Sequence, residues 1–200
     1  IDYNIKKIIE QSLSVYEVKS NLLKKLDPDV IITQSHCSVC AVSLKDVEEC
    51  LSKFTNRKPL LIDLKPNTFE EVLKDIILVG NKLNKKIESL SLVGEIKNEI
   101  NKIKEKTSKS KIKNVLCIEW IEPIMTAGNW IPQLVKFAGG KSILAKSGKN
   151  SNFIKPEHIN FKKVDIVIFM PCGFDIKRSK KEILKANIDY LSNLKDKETY

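Results

Sequence analysis

The sequence predicts an α/β fold with two lobes, each built on a parallel sheet and joined by one long helix. Short apolar runs, such as Val30–Thr33, Leu60–Leu64 and Val115–Ile118, alternate with helical patterns. Runs of this length and composition are typical of covered parallel strands. Between the two groups of strands, apolar residues recur at steps of three and four from Phe69 to Ile103. The 200 residues, 42% of them apolar, are enough to build the cores of one or two domains.

Residues 1–67 are predicted to form a partial N-terminal lobe. Helical patterns cover residues 1–26 and stop at the turn sequence Asp27-Pro28-Asp29. The strand Val30–Thr33 comes next, then a polar exit loop, the helix Val42–Phe54 and the strand Leu60–Leu64. This strand–helix–strand order is the unit from which parallel sheets are made.

Residues 68–107 are predicted to form the helix between the lobes. Thr68 and Glu71 have the spacing of a capping box at its start. One helix of this span would be roughly 55 Å long at about 1.5 Å per residue, far beyond the usual length. The alternative is a pair of helices, broken near Asn84 or Gly94.

Residues 108–200 are predicted to form an incomplete C-terminal lobe, which follows a polar linker. Its first helix ends at Gly139-Gly140, a pair typical of helix termination. The predicted elements are the strand Asn114–Ile118, the helix Pro132–Phe137, a loop over 141–152, a short helix Lys155–Asn160, the strand Asp165–Met170 and the helix Ser179–Leu194.

Three unusual stretches follow predicted strands, at Gln34–Cys40, Glu119–Trp130 and Pro171–Phe174. Ligands of open α/β sheets bind outside the carboxyl ends of the strands, so we expect these loops to face a ligand between the lobes. The candidate ligand-binding residues are Gln34, Ser35, His36, Cys37, Cys40, Glu119, Trp120, Met125, Gly128, Asn129, Trp130, Cys172, Gly173 and Phe174.

The two tryptophans, Trp120 and Trp130, would offer flat apolar area to a large ligand. Glu119 and Gln34 would supply hydrogen bonds, while Gly128 and Gly173 would permit close backbone approach. The alternative is that the tryptophans belong to the core of the lobe and Glu119 caps the next helix. No catalytic triad, paired carboxylates or phosphate-binding glycine loop is visible, so we predict a protein that is not an enzyme.

The five cysteines leave metal or redox chemistry open. Cys37 and Cys40 have the spacing of a zinc or redox pair, but a structural zinc needs four ligands and no second such pair exists. Cys37, Cys40 and Cys172 are therefore weak metal candidates. His36 could coordinate a metal-centred ligand or lie on the surface. Cys117 lies in an apolar strand, which favours an inert buried thiol.

The net charge of +10 comes from lysines spread along the helices and mixed with acidic residues. No nucleic-acid motif accompanies them, so we predict no nucleic-acid partner. A basic face toward anionic lipid or an acidic ligand stays possible. Neither a signal peptide nor a membrane span is visible in the sequence.

Three of the stretches described above resemble a known family. DPDVIITQSHCSVCAVS, IEWIEPIMTAGNWIPQLVKFAGG and DIVIFMPCGFDI are similar to motifs of the cobalamin/iron-siderophore type of ABC-transporter substrate-binding protein, closest to its cobalamin-binding group. The resemblance implies the helical-backbone binding fold used for metal chelates. It also implies a cobalamin or siderophore-like ligand bound without a covalent link and a membrane permease as partner. Members begin with a further strand and end with further elements, so the chain is expected to be truncated at both ends.

Two hypotheses for function follow. The first is the substrate-binding component of an ABC-type uptake system, with cobalamin or a related metal chelate held between two lobes. The second is an intracellular thiol-based metal- or redox-handling protein on the same fold. The resemblance implies a periplasmic or membrane-surface location, whereas the odd number of cysteines and the lack of a visible signal favour the cytoplasm. The compartment is left open at this point.

Overall fold

The computed structural model of the chain describes residues 18–35, 44–54, 59–186 and 198–199. The chain divides into two compact units, Ile1–Pro66 and Asn67–Tyr200. The helical pattern predicted over residues 1–17 lies outside the described residues.

Unit 1 alternates helices and strands, as the sequence predicts. Its two strands pair in parallel, with Val30 opposite Leu60. Ile62 on the second strand is buried, and so are Val47 and Leu51 on the helix between the strands. The elements are helix α1 (Ser20–Leu26), strand β1 (Val30–Gln34), helix α2 (Leu44–Phe54) and strand β2 (Leu60–Leu64).

The run predicted as one helix over 68–107 is instead two helices, α3 (Phe69–Lys82) and α4 (Lys86–Thr107). The prediction of a single helix was wrong, and the alternative break near Asn84 is confirmed. Asn84 adopts a left-handed backbone with φ of 57°, which ends a right-handed helix. The Lys85 N–H then bonds the Gly80 carbonyl at 2.7 Å.

Close packing between α3 and α4 depends on Gly80. A Cβ on Gly80 would overlap the side chain of Ser89, which is buried where α4 begins. The predicted capping box at the start of α3 is confirmed, because Thr68 accepts a hydrogen bond from the Glu71 N–H and Glu71 accepts one from the Thr68 N–H. The N–H groups of Asn67 and Thr68 both donate to the Glu71 carboxylate and hold its pKa below its ordinary value.

The sheet of unit 2 is mixed, whereas a parallel sheet was predicted. Strand β3 lies at its centre and pairs in parallel with β5 and β7, but β4 runs antiparallel to β3 and starts a short ribbon with β6. The chain reverses after Trp120, so the residues that follow β3 return along it instead of crossing the sheet. Over the described residues the strands are β3 (Lys113–Trp120), β4 (Met125–Thr126), β5 (Gly140–Ser142), β6 (Asn152–Phe153), β7 (Ile166–Phe169) and β8 (Glu198–Thr199).

Alternating residues of β3 build a core on each face of the sheet. Leu116 and Ile118 pack with Val164 and other apolar residues on one face. Val115 and Cys117 pack with Val135 and Ala127 on the other. This alternation is the two-residue period of a strand buried on both sides.

Cys117 confirms the prediction of a buried thiol. It is 3% exposed, and burial raises its pKa to about 11. A thiol at that pKa is almost fully protonated at neutral pH and is therefore a poor nucleophile and metal ligand.

The helices of unit 2 begin near the predicted positions. Helix α5 (Ile131–Phe137) ends before Gly139, whose φ is 79°. The predicted short helix at 155–160 is a 3-10 turn at Pro156–His158, and another such turn spans Phe161–Lys163. Helix α6 (Ile176–Lys185) begins three residues earlier than predicted. None of the helices in the described part of the chain is long and apolar enough to cross a membrane.

Helices α3 and α4 are anchored on α5. The Gln133 side chain accepts a hydrogen bond from the Phe69 N–H at 2.7 Å and donates one to the Glu70 carboxylate at 2.7 Å. Phe69 meets Phe137 edge-on with ring centroids 5.5 Å apart, and the Lys104 ammonium lies 4.2 Å above the Phe137 ring. The helix pair is thereby fixed to the layer that covers one face of the sheet.

Candidate functional site

Glu119 and Trp120 occupy the end of β3 itself, although the sequence placed them just beyond the strand. Both are half-buried. The indole N–H of Trp120 donates to the backbone carbonyl of Glu122 at 3.1 Å, so its polar atom has a partner within the turn. This hydrogen bond fixes the orientation of the ring at the carboxyl end of the central strand.

Glu119 holds the loop before β6. The Ser151 hydroxyl donates to the Glu119 carboxylate at 2.7 Å and accepts from the Gly128 N–H at 3.0 Å. The alternative, that Glu119 caps the next helix, is wrong, because Trp130 occupies the cap position of α5 and no side chain caps that helix. The Glu119 carboxylate therefore stabilises the local structure of this loop.

Gly128 and Asn129 complete this connection, which we call the 128–151 latch. A Cβ on Gly128 would lie 2.5–2.6 Å from backbone atoms of residues 149–151. Asn129 adopts a φ of 53°, and its backbone N–H and carbonyl bond Lys149 and Gly148 at 2.6 and 3.0 Å. The side-chain oxygen of Asn129 is buried and has no hydrogen-bond partner among the described residues. Glycine at 128 is thus required by a close approach of backbone.

Met125 and Trp130 flank the latch. Met125 lies half-buried in β4, and Trp130 is half-buried at the N-terminal end of α5. The structure thus places Glu119, Trp120, Met125, Gly128, Asn129 and Trp130 along one connected segment, as the sequence does. The ring of Trp120 contacts the second predicted loop.

That second loop, Pro171–Phe174, follows the neighbouring parallel strand β7. The ring centroids of Phe174 and Trp120 lie 5.5 Å apart, with the ring planes inclined by 59°. Cys172 is exposed. Gly173 adopts a φ of 75°, and a Cβ added there would meet no atom of the described residues within 4 Å. The carboxyl ends of β3 and β7 therefore carry a pair of aromatic rings beside an exposed thiol.

One residue that the sequence analysis missed, Arg178, extends the aromatic pair. The carbon at the centre of its guanidinium lies 3.7 Å from the centroid of the Phe174 ring. The sequence signal was available: Arg57 and Arg178 are the two arginines of a chain with 35 basic residues.

In unit 1, the strand ends carry a polar cluster centred on Asp63, which the sequence analysis also missed. The Asp63 carboxylate accepts hydrogen bonds from Thr33 at 2.9 Å and Ser35 at 2.6 Å, and Lys65 lies 3.0 Å away. Burial tends to raise the pKa of Asp63, but the hydrogen bonds from Ser35, Lys65 and Thr33 together outweigh it and lower the pKa. The Ser35 hydroxyl, proposed from sequence as a ligand contact, is bound to Asp63.

Gln34 ends β1 beside this cluster. The other candidates of that loop, His36, Cys37 and Cys40, lie outside the described residues. Among the described residues, no group of three or more His, Cys, Asp or Glu side chains could hold a metal ion. Cys172 therefore has no metal-binding partners in that part of the chain, while a role for Cys37 and Cys40 stays a prediction.

The protein-family model described as "Periplasmic binding protein" matches residues 14–194 of the chain. No curated protein matches the chain.

Solved structures show the same fold at low sequence identity. An ABC transporter substrate-binding protein from Listeria monocytogenes is 17% identical, with a TM-score of 0.70 over 90% of this chain and 69% of that one. Heme-bound IsdE from S. aureus is 21% identical, with a TM-score of 0.65 over 92% and 71%. The periplasmic vitamin B12-binding protein BtuF of Vibrio cholerae is 12% identical, with a TM-score of 0.60 over 91% and 68%.

Proposed function

Because the chain belongs to the periplasmic binding protein family, we propose that it is the substrate-binding component of an ABC-type uptake system. Its ligand is a bulky metal chelate, cobalamin or a related tetrapyrrole or siderophore complex. A membrane permease with its ATPase receives the ligand. The chain binds and delivers this molecule without changing it chemically.

The observation that carries this proposal is the contact between Trp120 and Phe174. Their rings lie 5.5 Å apart at the carboxyl ends of two adjacent parallel strands, the edge at which α/β sheets bind ligands. Both side chains are half-buried, so part of each ring faces solvent. Aromatic rings held in fixed positions supply apolar contact area at little cost in conformational entropy.

The choice of ligand class has two further supports. The sequence motifs that contain Trp120 and Phe174 resemble those of the cobalamin-binding group. Among proteins of the same fold, IsdE is complexed with heme and BtuF is named as a vitamin B12-binding protein, and both ligands are metal macrocycles. Glu119, the carboxylate next to Trp120 in the chain, is bound to Ser151. The aromatic rings are therefore the groups on which the proposed contact with a flat ligand rests.

The proposed location is outside the cytoplasmic membrane, where a binding protein of this family delivers ligand to a permease. The earlier preference for the cytoplasm rested on the cysteines and on the lack of a visible signal. The family match does not support that preference. Cys117, one of those cysteines, is buried and inert by its environment, so it is equally compatible with an external location.

The test is a titration of the purified chain with cyanocobalamin, hemin and a ferric hydroxamate siderophore. Isothermal calorimetry and ligand absorbance would measure binding, and circular dichroism would confirm that the protein is folded. We expect one of the three to bind saturably in a 1:1 complex. Folded protein that gives neither heat nor a spectral change with any of them would contradict the proposal.

A further inference from the structure

We propose that helix α6 binds to the surface of an anionic lipid bilayer and lies in the plane of that surface. The proposal goes beyond the proposed function and does not depend on which ligand the chain takes up. It starts from two features of one helix, a pair of apolar side chains exposed to water and a row of lysines beside them.

The exposed part of α6 consists of two rows of side chains, which we call the outer face of α6. Residues four apart lie one above the other on a helix, so Ile176, Lys180 and Leu184 form one row. The row next to it is made of three lysines, Lys177, Lys181 and Lys185. All six residues are exposed.

The opposite side of α6 is less exposed, and Ser179, Glu182 and Ile183 are half-buried there. Glu182, the acidic residue of this helix, pairs with the Lys185 ammonium at 3.3 Å. The N-cap residue Asp175 holds the first turn, because its carboxylate accepts the N–H of residue 178 at 2.6 Å. The half-buried side therefore fixes the direction of the outer face, and α6 places no carboxylate on that face.

The two apolar residues of the outer face are informative because of their neighbours. Ile176 is 77% exposed and Leu184 is 84% exposed. Single exposed apolar residues are ordinary on protein surfaces. Here both lie in one row with Lys180 between them, and a row made of lysine alone lies beside it. Exposed apolar side chains next to several lysines are typical of helices that lie in the headgroup region of a membrane.

An anionic bilayer provides favourable surroundings for both kinds of side chain. The apolar side chains enter the boundary of the acyl chains, while the long lysine stems let the ammonium groups stay among the phosphates. A soluble polyanion would neutralise the lysines but leave Ile176 and Leu184 in water. At about 1.5 Å per residue, α6 is roughly 15 Å long, about half the thickness of the hydrocarbon layer, so it lies along the membrane instead of crossing it.

Helix α4 has a similarly exposed apolar residue without the row of lysines. Ile87 is 82% exposed. Lys85 and Glu88, on either side of it in the chain, form an ion pair at 2.9 Å, so the charges beside it are of both signs. An anionic surface would gain little from this part of α4, and Ile87 therefore provides a matched control.

The experiment measures cosedimentation of the purified chain with lipid vesicles. One set of vesicles is phosphatidylcholine alone, and the other contains about one third phosphatidylglycerol. Two variants alter the outer face, Ile176→Ser/Leu184→Ser and Lys177→Gln/Lys181→Gln. Two controls make the same kinds of change at exposed positions of α3 and α4, Ile87→Ser and Lys82→Gln/Lys97→Gln. Circular dichroism would confirm that each variant is folded.

We expect wild type to bind the anionic vesicles and not those of phosphatidylcholine alone, and to bind less tightly when salt is raised from about 0.1 to about 0.5 M. The lysine variant of α6 should weaken binding about 25-fold, which is about fivefold for each lysine near the lipid surface. The apolar variant of α6 should weaken it about tenfold or more. Each control should change it by less than about threefold.

The inference is overturned if wild type binds neither kind of vesicle or binds both equally. It is also overturned if the control lysines matter as much as those of α6, since net charge alone would then explain the binding. Unchanged binding of Ile176→Ser/Leu184→Ser would contradict the entry of the apolar residues into the bilayer. A short DNA duplex bound as tightly as the anionic vesicles would assign the lysines to a soluble polyanion instead.

The inference and the proposed function can fail separately. The titration with cyanocobalamin, hemin and the hydroxamate contains no lipid, so a negative result with vesicles leaves the proposed function standing. Folded protein that binds none of those ligands but sediments with anionic vesicles as described would contradict the proposed function and support the inference.

Discussion

The two units carry different kinds of side chain at the ends of their strands. The strand ends of unit 1 carry a partly buried carboxylate, Asp63, whose oxygens are bound by Thr33, Ser35 and Lys65. The strand ends of unit 2 carry the aromatic pair Trp120 and Phe174. In unit 1 the polar groups satisfy one another, whereas in unit 2 flat apolar surface stays partly open. The same position in an α/β sheet thus serves local structure in one unit and carries the proposed ligand contact in the other.

A similar contrast exists within unit 2, between the 128–151 latch and the loop after β7. Glu119, Gly128 and Ser151 bind one another through backbone and side-chain hydrogen bonds. A Cβ added at Gly173 would meet no atom of the described residues within 4 Å, and Cys172 beside it is exposed. Changes in the latch should therefore affect folding, while changes beside the rings should affect binding.

The largest expected effect on stability comes from Gly128→Ala. The added methyl would lie 2.5–2.6 Å from backbone atoms of residues 149–151, which cannot move aside as a flexible side chain could. We expect the free energy of unfolding to fall by about 3 kcal/mol, the upper end for overpacking. Urea denaturation measures this.

The matched control is Gly94→Ala, where the new methyl meets nothing within 4 Å inside helix α4. Replacing a helical glycine by alanine, where there is room for the methyl group, should stabilise the chain by up to about 1 kcal/mol. If both variants change stability by the same amount, the close approach at Gly128 does not hold the latch.

The next effect is that of Asp63→Ala in unit 1. The change removes the acceptor of the Thr33 and Ser35 hydroxyls from a side chain that is 13% exposed. We expect a loss of about 2 kcal/mol in unfolding free energy, as for hydrogen bonds to a charged group. Glu99→Gln, which breaks an exposed ion pair with Lys102, should cost less than about 0.5 kcal/mol. Equal losses for the two variants would contradict the difference assigned to burial.

A smaller effect is expected when the pH is lowered, because the contribution of the Asp63 carboxylate to stability depends on pH. Its pKa in the folded state is lowered, so its contribution is fully present above the unfolded pKa of about 3.9 and is lost as the pH falls through the folded pKa. The stability difference between wild type and Asp63→Ala should therefore be constant from about pH 7 to 5 and shrink below about pH 4. A difference that grows on acidification would contradict the lowered pKa.

The features that the sequence predicted most accurately are those that depend on residues close together in the chain. The capping box at Thr68 and Glu71 and the helix end before Gly139 involve contacts within four residues, and both were correctly identified. The break at Asn84 was only an alternative, because the apolar stripe continues at helical spacing on both sides of it. Strands β4, β5, β6 and β8 were missed, since two or three residues show no periodicity and depend on their partners in the sheet.

In the candidate site, the roles of the side chains were harder to predict than their positions near the strand ends. Glu119 and Ser35 were identified as polar groups near strand ends, but their partners Ser151 and Asp63 come from elsewhere in the chain. Arg178 was overlooked because it lies inside the helix after the loop rather than in the loop. Its link to Phe174, four residues away, depends on where α6 begins, and that start was predicted three residues too late.

The most direct measurement is the affinity of Trp120→Ala, compared with Phe153→Ala, for whichever ligand wild type binds. Phe153 is an aromatic residue of the same sheet, 65% exposed on strand β6, and no role in binding is assigned to it. We expect Trp120→Ala to weaken binding about tenfold or more, as for a central aromatic contact, and Phe153→Ala to change it less than about twofold. Wild-type affinity in Trp120→Ala, or an equal loss in both variants, would contradict a binding site at the ends of β3 and β7.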